Sequence, residues 1–395
     1  GKGGDFTKWI DANLGFVFGI DKSRDNIENW LDGAYARYLN YRNSHKSLPE
    51  DVFVPGTSGK LIRSGEAIDD HKYKLISRAM FGQGPKDAKQ LGKGVVKHYG
   101  VGSEGFQISS CQFAIHYFFE SRSTLENFIQ NVIDCTKVGG YFIGTSYDGN
   151  KMFQYLRNKE VNAGVTLTSQ DGNRTMWEVT KRYDNQDFRP DASSVCYPID
   201  VYQMSINKTF REFLVNYEYL TRVMEDHGFQ LLQKEEARTL GLPSGSATFE
   251  ELYLQLEDEI ERKIQNVNSI GTSLRMSQGE KTISFLTRYF VYKKIRHDTV
   301  PVTLKGDYDD LLDNVDLKIP EVHYSESNGD VKETPPSKSS KSSKSSNPTA
   351  VDDLKGNVVI ENKNSTIDSK KSTPRSLKAT KTKTTLKIKS RKTDK

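Results

Sequence analysis

The chain has 395 residues and a formal net charge of +5 at pH 7. This length is enough for one large domain or two ordinary ones, so size excludes few classes of protein. The charge is uneven, because residues 331–395 hold 17 Lys and Arg against 6 Asp and Glu, a net +11, whereas residues 1–330 carry −6. The basic character belongs to the C-terminal segment.

Three cysteines, Cys111, Cys135 and Cys196, are an odd number without CxxC spacing. This argues against both a disulfide framework and a zinc site. No apolar run has the length of a membrane span, and no secretory segment opens the chain. These features favour a protein of a reducing compartment that uses neither a membrane nor a metal.

The first elements predicted are a glycine loop, a short helix, a strand over 16–20 ending at Asp21, and a second helix. This order is half of a nucleotide-binding α/β unit. Apolar residues at helical spacing predict a buried face on the second helix. They are Ile27, Trp30, Leu31, Ala34 and Tyr38.

A βαβ unit is predicted from Ser109 onward, after a helical pattern over 74–81. Its strand runs through Phe113 and Ile115, its helix begins at a capping box over 123–126, and Gly139 and Gly140 end that helix. A strand, YFIGTSY, follows.

Farther on, residues 209–227 predict an amphipathic helix, 249–264 a longer charged helix and 281–294 a late strand. The organised pattern fades near residue 300, so the domain is predicted to span 1–298. Residues 299–395 form a basic segment rich in Ser, Thr and Lys, which predicts disorder because it cannot bury enough apolar surface. This tail could tether RNA electrostatically, or be a solubilising linker or localisation signal.

The glycine loop GKGGD matches neither the GxGxxG fingerprint, whose third glycine is replaced by Phe6, nor the P-loop spacing. Its small residues let a ligand lie against the backbone, and Asp21 at a strand end can accept hydrogen bonds from ribose hydroxyls. S-adenosylmethionine fits these features because it carries a ribose and no phosphate. A tight turn beside a surface aspartate is the alternative.

Six motifs together resemble mRNA cap guanine-N7 methyltransferases: GKGGD, GID, SCQFAIHYFFES, GGYFIGT, REFLVNYEYL and ISFLTRYFVYKK. The resemblance covers about residues 1–294 and is closest to the methyltransferase domain of capping enzymes of large nucleocytoplasmic DNA viruses. It implies a class I, Rossmann-like methyltransferase fold, α/β with a mostly parallel sheet and helices on both faces. It also implies methyl transfer from S-adenosylmethionine to N7 of the cap guanine.

The same resemblance implies the site. Cofactor-binding residues would be Gly1, Gly3, Asp5, Asp21, Gln112 and Tyr117. Cap-binding residues would be Lys2, Arg37, His116, Tyr117 and Glu212, with Arg37 assigned on the assumption of a one-turn insertion in its helix. No catalytic side chain and no metal are expected, because guanine N7 needs no general base and proximity suffices.

Two of these residues have structural alternatives. His116 could be a core histidine on an apolar strand. Glu212 could close a capping box that begins at Thr209.

Departures from the family pattern lead to further expectations. The strand that should precede Gly1 is missing, so the chain would be a fragment of a longer capping enzyme, with triphosphatase and guanylyltransferase domains upstream. Thr57 stands where many relatives have an acid near the adenine, and Tyr147 replaces the proline of GTTP. The guanine-stacking tyrosine is not assigned, although Tyr289 is nearby.

The expected partner is the capped 5′ end of mRNA, and the expected location is the cytoplasm, a viral factory or a virion. A methyltransferase for another substrate and a non-catalytic RNA-binding module are the alternative functions.

Overall fold

The computed structural model describes residues 1–45, 47–169, 172–264, 270–298 and 300–304. The predicted tail lies outside the described residues, apart from its first few positions.

The first unit alternates helices with two parallel strands. Its elements are α1 (Phe6–Asp11), β1 (Phe16–Asp21), α2 (Arg24–Glu28), α3 (Ala34–Ser44) and β2 (Glu50–Pro55). Period-two alternation sends Val17 and Phe53 to one face, against Phe6, and Phe16 and Val52 to the other. Helices cover both faces, as the α/β expectation requires.

The predicted single helix after Asp21 is wrong, because the chain turns sharply after Glu28. The Asn29 side chain accepts hydrogen bonds from the backbone N–H groups of Leu31 and Asp32, at 2.9 and 3.4 Å, which stabilises a turn and not a helix. Ile27 and Ala34 are buried as predicted, whereas Trp30 is 82% exposed and Leu31 64%. These two residues were wrongly assigned to the core.

The second unit begins with α4 (His71–Met80), α5 (Ala88–Leu91) and α6 (Lys93–Lys97), which pack against β2. It continues with β3 (Phe106–Gln112), the 3-10 helix η1 (Ile115–Glu120), α7 (Arg122–Cys135) and β4 (Thr136–Tyr147), and β3 pairs with β4 in parallel. The predicted βαβ order and the helix over 74–81 are confirmed.

Three local details of this unit were predicted wrongly. The strand ends at Gln112, so residues 115–117 lie on η1. Ser121, and not Ser123, caps α7, since its side chain accepts from the Thr124 N–H at 3.2 Å. Gly139 and Gly140 lie inside β4, where a side chain at Gly140 would come within 2.7 Å of the Gln107 carbonyl on the paired strand.

The sheet that contains β3 and β4 continues with antiparallel strands. Strand β11 (Thr287–Lys294) pairs with β4, β9 (Phe229–Leu231) and β10 (Ser246–Thr248). Within the described residues, β1 pairs only with β2 and β3 only with β4. The rings of Phe16 and Phe18 stack on Phe106 at 6.4 and 6.2 Å, so the two parallel pairs are adjacent.

A second sheet, which sequence reasoning missed, is wholly antiparallel. It consists of β5 (Gly164–Thr168), β6 (Thr175–Lys181), β7 (Pro198–Gln203) and β8 (Lys208–Phe213), and α8 (Gly149–Tyr155) connects it to β4. The predicted helix over 209–227 is therefore wrong in its first half, where β8 pairs with β7. Only α9 (Tyr217–Asp226) is helical, so the proposed capping box from Thr209 to Glu212 does not exist.

The last part of the fold contains α10 (Lys234–Thr239), α11 (Phe249–Glu261) and α12 (Gln278–Phe285) before β11. The charged helix over 249–264 is confirmed, whereas the predicted strand over 281–294 is a helix up to Phe285. Val302 and Leu304 are buried against the core, so the packed chain extends past residue 298.

All three cysteines are free. Among the residues described, no helix is both long and apolar enough to cross a bilayer.

Candidate active site

The opening glycine loop leaves its backbone accessible. Gly3 has φ +74°, and a side chain there would come within 2.5 Å of the Phe6 ring, so this position requires glycine. A side chain at Gly1 or Gly4 would meet no protein atom within 4 Å, which leaves open space beside the loop. Asp5 precedes α1 and accepts from Lys8 Nζ at 2.6 Å.

Asp21 is the last residue of β1, and its side chain is 20% exposed. One carboxylate oxygen accepts from the Ser23 N–H at 2.7 Å and from Asn26 Nδ2 at 3.0 Å. Lys2 Nζ of the glycine loop lies 3.7 Å from an Asp25 carboxylate oxygen on α2, so the loop lies near the end of β1 that carries Asp21. This loop and carboxylate fit a ribose-bearing cofactor that lies along open backbone.

Lys2 and Arg37 are also brought together, through Asp32. Lys2 Nζ donates to both Asp32 carboxylate oxygens at 2.9 Å, and Arg37 Nε donates to the Asp32 carbonyl at 3.1 Å. Lys2 belongs to the glycine loop and Arg37 to α3, and their shared partner Asp32 lies on the turn that separates α2 from α3.

Gln112 ends β3, and its Oε1 accepts from Thr145 Oγ1 on β4 at 2.9 Å. The next residue, Phe113, has φ +50°, a conformation that costs free energy in a bulky residue, and its ring is 52% exposed. Sequence reasoning missed this strained, exposed aromatic at the strand end, because backbone conformation leaves no signal in a sequence of this kind.

His116 and Glu212 form the most unusual pair in the described structure. They are 4% and 7% exposed, and His116 Nε2 lies 3.7 Å from Glu212 Oε2. Neither ring nitrogen of His116 nor that carboxylate oxygen has a hydrogen-bond partner, although buried polar atoms are normally paired. Burial raises the pKa of Glu212 to about 8 and lowers the pKa of His116 to about 3, so both are mainly neutral at pH 7 and form no ion pair.

The neighbours of this pair come from η1 itself and from distant segments. Tyr117 lies on η1 with its ring centroid 4.3 Å from that of His116 and is 38% exposed. Tyr147 ends β4, and its hydroxyl accepts from Trp177 Nε1 at 2.9 Å and from Gln203 Nε2 at 3.0 Å. Trp177 and Gln203 were missed, because the second sheet that carries them was not predicted.

Two residues named in the sequence analysis lie in other contacts. Tyr289 is 7% exposed and donates its hydroxyl to the Ser244 carbonyl at 2.6 Å. Thr57 follows β2, and its Oγ1 accepts from the Gly59 N–H at 3.3 Å. The Tyr289 hydroxyl is thus bonded within the fold, and the Thr57 hydroxyl accepts one backbone hydrogen bond.

This site can be compared with known proteins. A family model described as the mRNA (guanine-N(7))-methyltransferase domain matches residues 1–295. The chain belongs to this family. The family expected from the sequence motifs is confirmed, and the site described above lies within the matched residues.

Curated relatives of this methyltransferase domain are distant in sequence. The probable mRNA-capping enzyme of Acanthamoeba polyphaga mimivirus is 24% identical over 318 residues, covering 74% of this chain and 25% of the relative. The mRNA cap guanine-N(7) methyltransferase 1 of Arabidopsis thaliana is 25% identical, covering 59% of this chain and 52% of the relative. An mRNA-capping enzyme of African swine fever virus is 22% identical, covering 60% of this chain and 24% of the relative. The chain thus matches a quarter to a half of these proteins.

Proposed function

We propose that this methyltransferase domain transfers the methyl group of S-adenosylmethionine to N7 of the guanine in the 5′ cap of mRNA. The observation that carries the proposal is the buried pair His116 and Glu212, in which both ring nitrogens and one carboxylate oxygen lack a hydrogen-bond partner among the described residues. Leaving such groups unpaired costs on the order of 1–3 kcal/mol each. A ligand that presents N–H groups and an acceptor would remove this cost.

Guanine has the complementary edge. Its N1–H and N2–H groups are adjacent donors, which the two oxygens of the Glu212 carboxylate can accept together. An adenine edge presents only one such donor, next to an unprotonated N1. The ionised form of Glu212 therefore favours guanine among the purines, because a carboxylate can only accept.

The expected chemistry explains why the proposed site needs no general base. Guanine N7 carries a lone pair and no proton, so the domain has only to hold the purine in line with the methyl carbon and its leaving group. The purine becomes cationic as the bond forms, and an ionised Glu212 on its edge stabilises that charge.

The cofactor side consists of Gly1, Gly3, Asp5, Asp21 and Gln112. When bound, S-adenosylmethionine supplies an electrophilic sulfonium methyl group. Asp21 would accept hydrogen bonds from the ribose hydroxyls, the glycine loop would lie against the methionine part beside Asp5, and Gln112 would line the wall between the two ligands.

The remaining side chains complete the proposed cap site. Tyr117 would contact both ligands, because it follows His116 on η1 and is partly exposed. Lys2 and Arg37 would bind the triphosphate, since phosphate oxygens can replace Asp32 as their partners.

The partner that follows is the 5′ end of capped mRNA. The viral relatives are named capping enzymes and are longer than the region matched, which supports the proposal of triphosphatase and guanylyltransferase domains in the same pathway or polypeptide. The proposed place of action is the cytoplasm, including a viral factory.

The test is methyl transfer from S-adenosylmethionine to GpppG-capped RNA, with the product nucleoside identified by mass spectrometry. A 7-methylguanosine cap is expected. Binding of S-adenosylhomocysteine without any binding of GpppG would contradict the cap substrate and favour a methyltransferase for another molecule. RNA binding without any cofactor binding would favour a non-catalytic module.

A further inference from the structure

The hydroxyl of Tyr147 is held by two donors. Tyr147 is 7% exposed, and its oxygen accepts the hydrogen bonds from Trp177 Nε1 and Gln203 Nε2 described above. Both nitrogens can only donate, and a phenolic oxygen that accepts twice still has its own hydrogen to donate. Among the described residues, no acceptor lies within hydrogen-bond distance of that hydroxyl. A buried donor without a protein partner therefore remains at the end of β4.

Sheet register places this donor and Glu212 over the same face. Trp177 is directly opposite Gln203, and Ile199 is directly opposite Glu212. Positions 199 and 203 lie on one face of β7 because side chains alternate, so the side chains of Gln203 and Glu212 share that face. Burial raises the pKa of Tyr147, and the nearby charge of Glu212 raises it further. The phenol and the carboxyl group of Glu212 therefore lie over the same face of the antiparallel sheet.

We propose that the Tyr147 hydroxyl donates a hydrogen bond to O6 of the cap guanine and thereby selects a 6-oxopurine. This inference rests on the proposed function and deepens it. If Glu212 accepts from N1–H and N2–H, the third group on that edge, O6, requires a donor. Adenine would place its 6-amino donor against the Tyr147 donor, and two unpaired buried donors would remain.

Tyr147 is a specificity residue in this proposal, and the two donors that hold it are positioning residues. Trp177 is fully buried, so its indole is fixed by packing. Donation by Trp177 and Gln203 polarises the phenol and strengthens the hydrogen bond that it makes in turn. His116 is the alternative hydrogen-bond donor to O6, since one of its unpartnered nitrogens carries a hydrogen in the neutral ring.

The test combines the variant Tyr147→Phe with an atomic change in the substrate. GpppG and its analogue with 6-thioguanine in the cap differ at one atom, and sulfur is a weak acceptor. For both substrates, kcat/KM is measured, and the Kd is measured by calorimetry with S-adenosylhomocysteine present. The wild-type domain is expected to prefer the oxo cap by about tenfold. Y147F is expected to lose about tenfold on the oxo cap and to treat the two caps alike.

A matched control is Tyr183→Phe. Tyr183 is also buried, its hydroxyl has no hydrogen-bond partner in the described structure, and it packs on Phe153. Y183F should keep the wild-type preference, and a cooperative thermal unfolding transition in each variant would show that both are folded.

Three outcomes separate the possibilities. An unchanged oxo-to-thio ratio in Y147F, whatever its overall activity, would overturn the proposal and leave Tyr147 a structural residue. Loss of that ratio in His116→Ala but not in Y147F would assign O6 to His116 and also overturn it. If the wild-type domain binds S-adenosylhomocysteine but neither binds nor methylates GpppG, the proposed cap substrate itself is wrong, whatever the role of Tyr147.

Discussion

The two halves of the candidate site differ in how their polar groups are satisfied. On the cofactor side, Asp21 is partly exposed and already bonded within the protein. On the cap side, His116 and Glu212 are buried and carry atoms without a partner. Ligand binding on the first side exchanges existing contacts, whereas on the second it satisfies groups that the fold leaves unpaired. Substitutions on the cap side should therefore have the larger effects.

The largest effect is expected for Glu212→Gln, which keeps the shape and removes the charge. The kcat/KM for GpppG should fall by about 10²- to 10³-fold, because a preorganised group facing developing charge is lost. The Kd of S-adenosylhomocysteine should stay unchanged, since Asp21 and the glycine loop are intact. A variant that lost affinity for both ligands equally would show that the two halves are not separable.

The pH profile should show the same group. Burial raises the pKa of Glu212 to about 8, and the reacting form is the carboxylate, so kcat/KM should rise nearly tenfold per pH unit from pH 6 towards 8 and then level off. His116, with a pKa lowered to about 3 by burial, stays neutral over this range and adds no further limb. Steady-state rates between pH 6 and 9 measure this, and a profile equally steep in E212Q would assign the limb to another group.

Asp21→Asn should weaken cofactor binding and leave cap binding unchanged, which is the opposite of the effect of E212Q. The effect should also be smaller. Loss of charge-assisted hydrogen bonds to the ribose should raise the Kd of S-adenosylhomocysteine by about tenfold. The Kd of GpppG should not change. Calorimetric titrations with each ligand separately test this, and the opposite pattern would move Asp21 to the cap side.

Stability should also depend on pH through the buried pair. Glu212 has a folded pKa above its ordinary value of 4.5, so its contribution to the free energy of unfolding is full below pH 4.5 and is lost as pH rises through about 8. His116 has a folded pKa below its ordinary 6.5, so its contribution is present above pH 6.5 and is lost on acidification towards pH 3. Between pH 4.5 and 6.5, the two groups therefore change the free energy of unfolding in opposite directions as the pH rises.

From pH 6.5 to 8 only the loss from Glu212 remains, at up to about 1.4 kcal/mol per pH unit. Urea unfolding at pH 6.5 and 8 should show a steeper decline in the wild-type protein than in E212Q, because burial also raises the pKa of Asp51 to about 7 in both proteins. Parallel declines in both proteins would mean that Glu212 is ionised in the fold well below pH 8.

The smallest effect is expected for Trp30→Ser, which tests the turn on the cofactor side. Trp30 is 82% exposed, so the free energy of unfolding should change by less than about 0.5 kcal/mol. Ile27→Ala, three positions earlier, removes a side chain that is 1% exposed and should cost about 2–5 kcal/mol. Chemical denaturation compares them, and a large loss for W30S would show that the indole is packed.

Local signals in the sequence located the first half of the site. The glycine loop, the strand over 16–20 and Asp21 at its end all lie within the first 21 residues, so local patterns were enough to predict their positions in the fold. Helical spacing predicted too long a second helix, through Trp30 and Leu31. Spacing alone carries no signal for the turn that the Asn29 side chain stabilises.

The second half was named through resemblance, and its geometry depended on contacts distant in sequence. The residue order alone allowed Glu212 to cap a helix, but pairing of β8 with β7 turned it into a strand residue that faces η1. The same pairing brought Gln203 to Tyr147, a contact for which no local pattern exists.

By itself, the sequence determined the α/β order of the first units and the positions of the glycine loop and of Asp21 at the end of its strand. It also determined the family. Only the tertiary structure decided that His116 and Glu212 are buried with polar atoms that lack hydrogen-bond partners. It also placed them near Tyr147, whose hydroxyl accepts two hydrogen bonds. The physical reason is that propensity and spacing act over a few residues, whereas burial and pairing of polar groups depend on which distant strands meet.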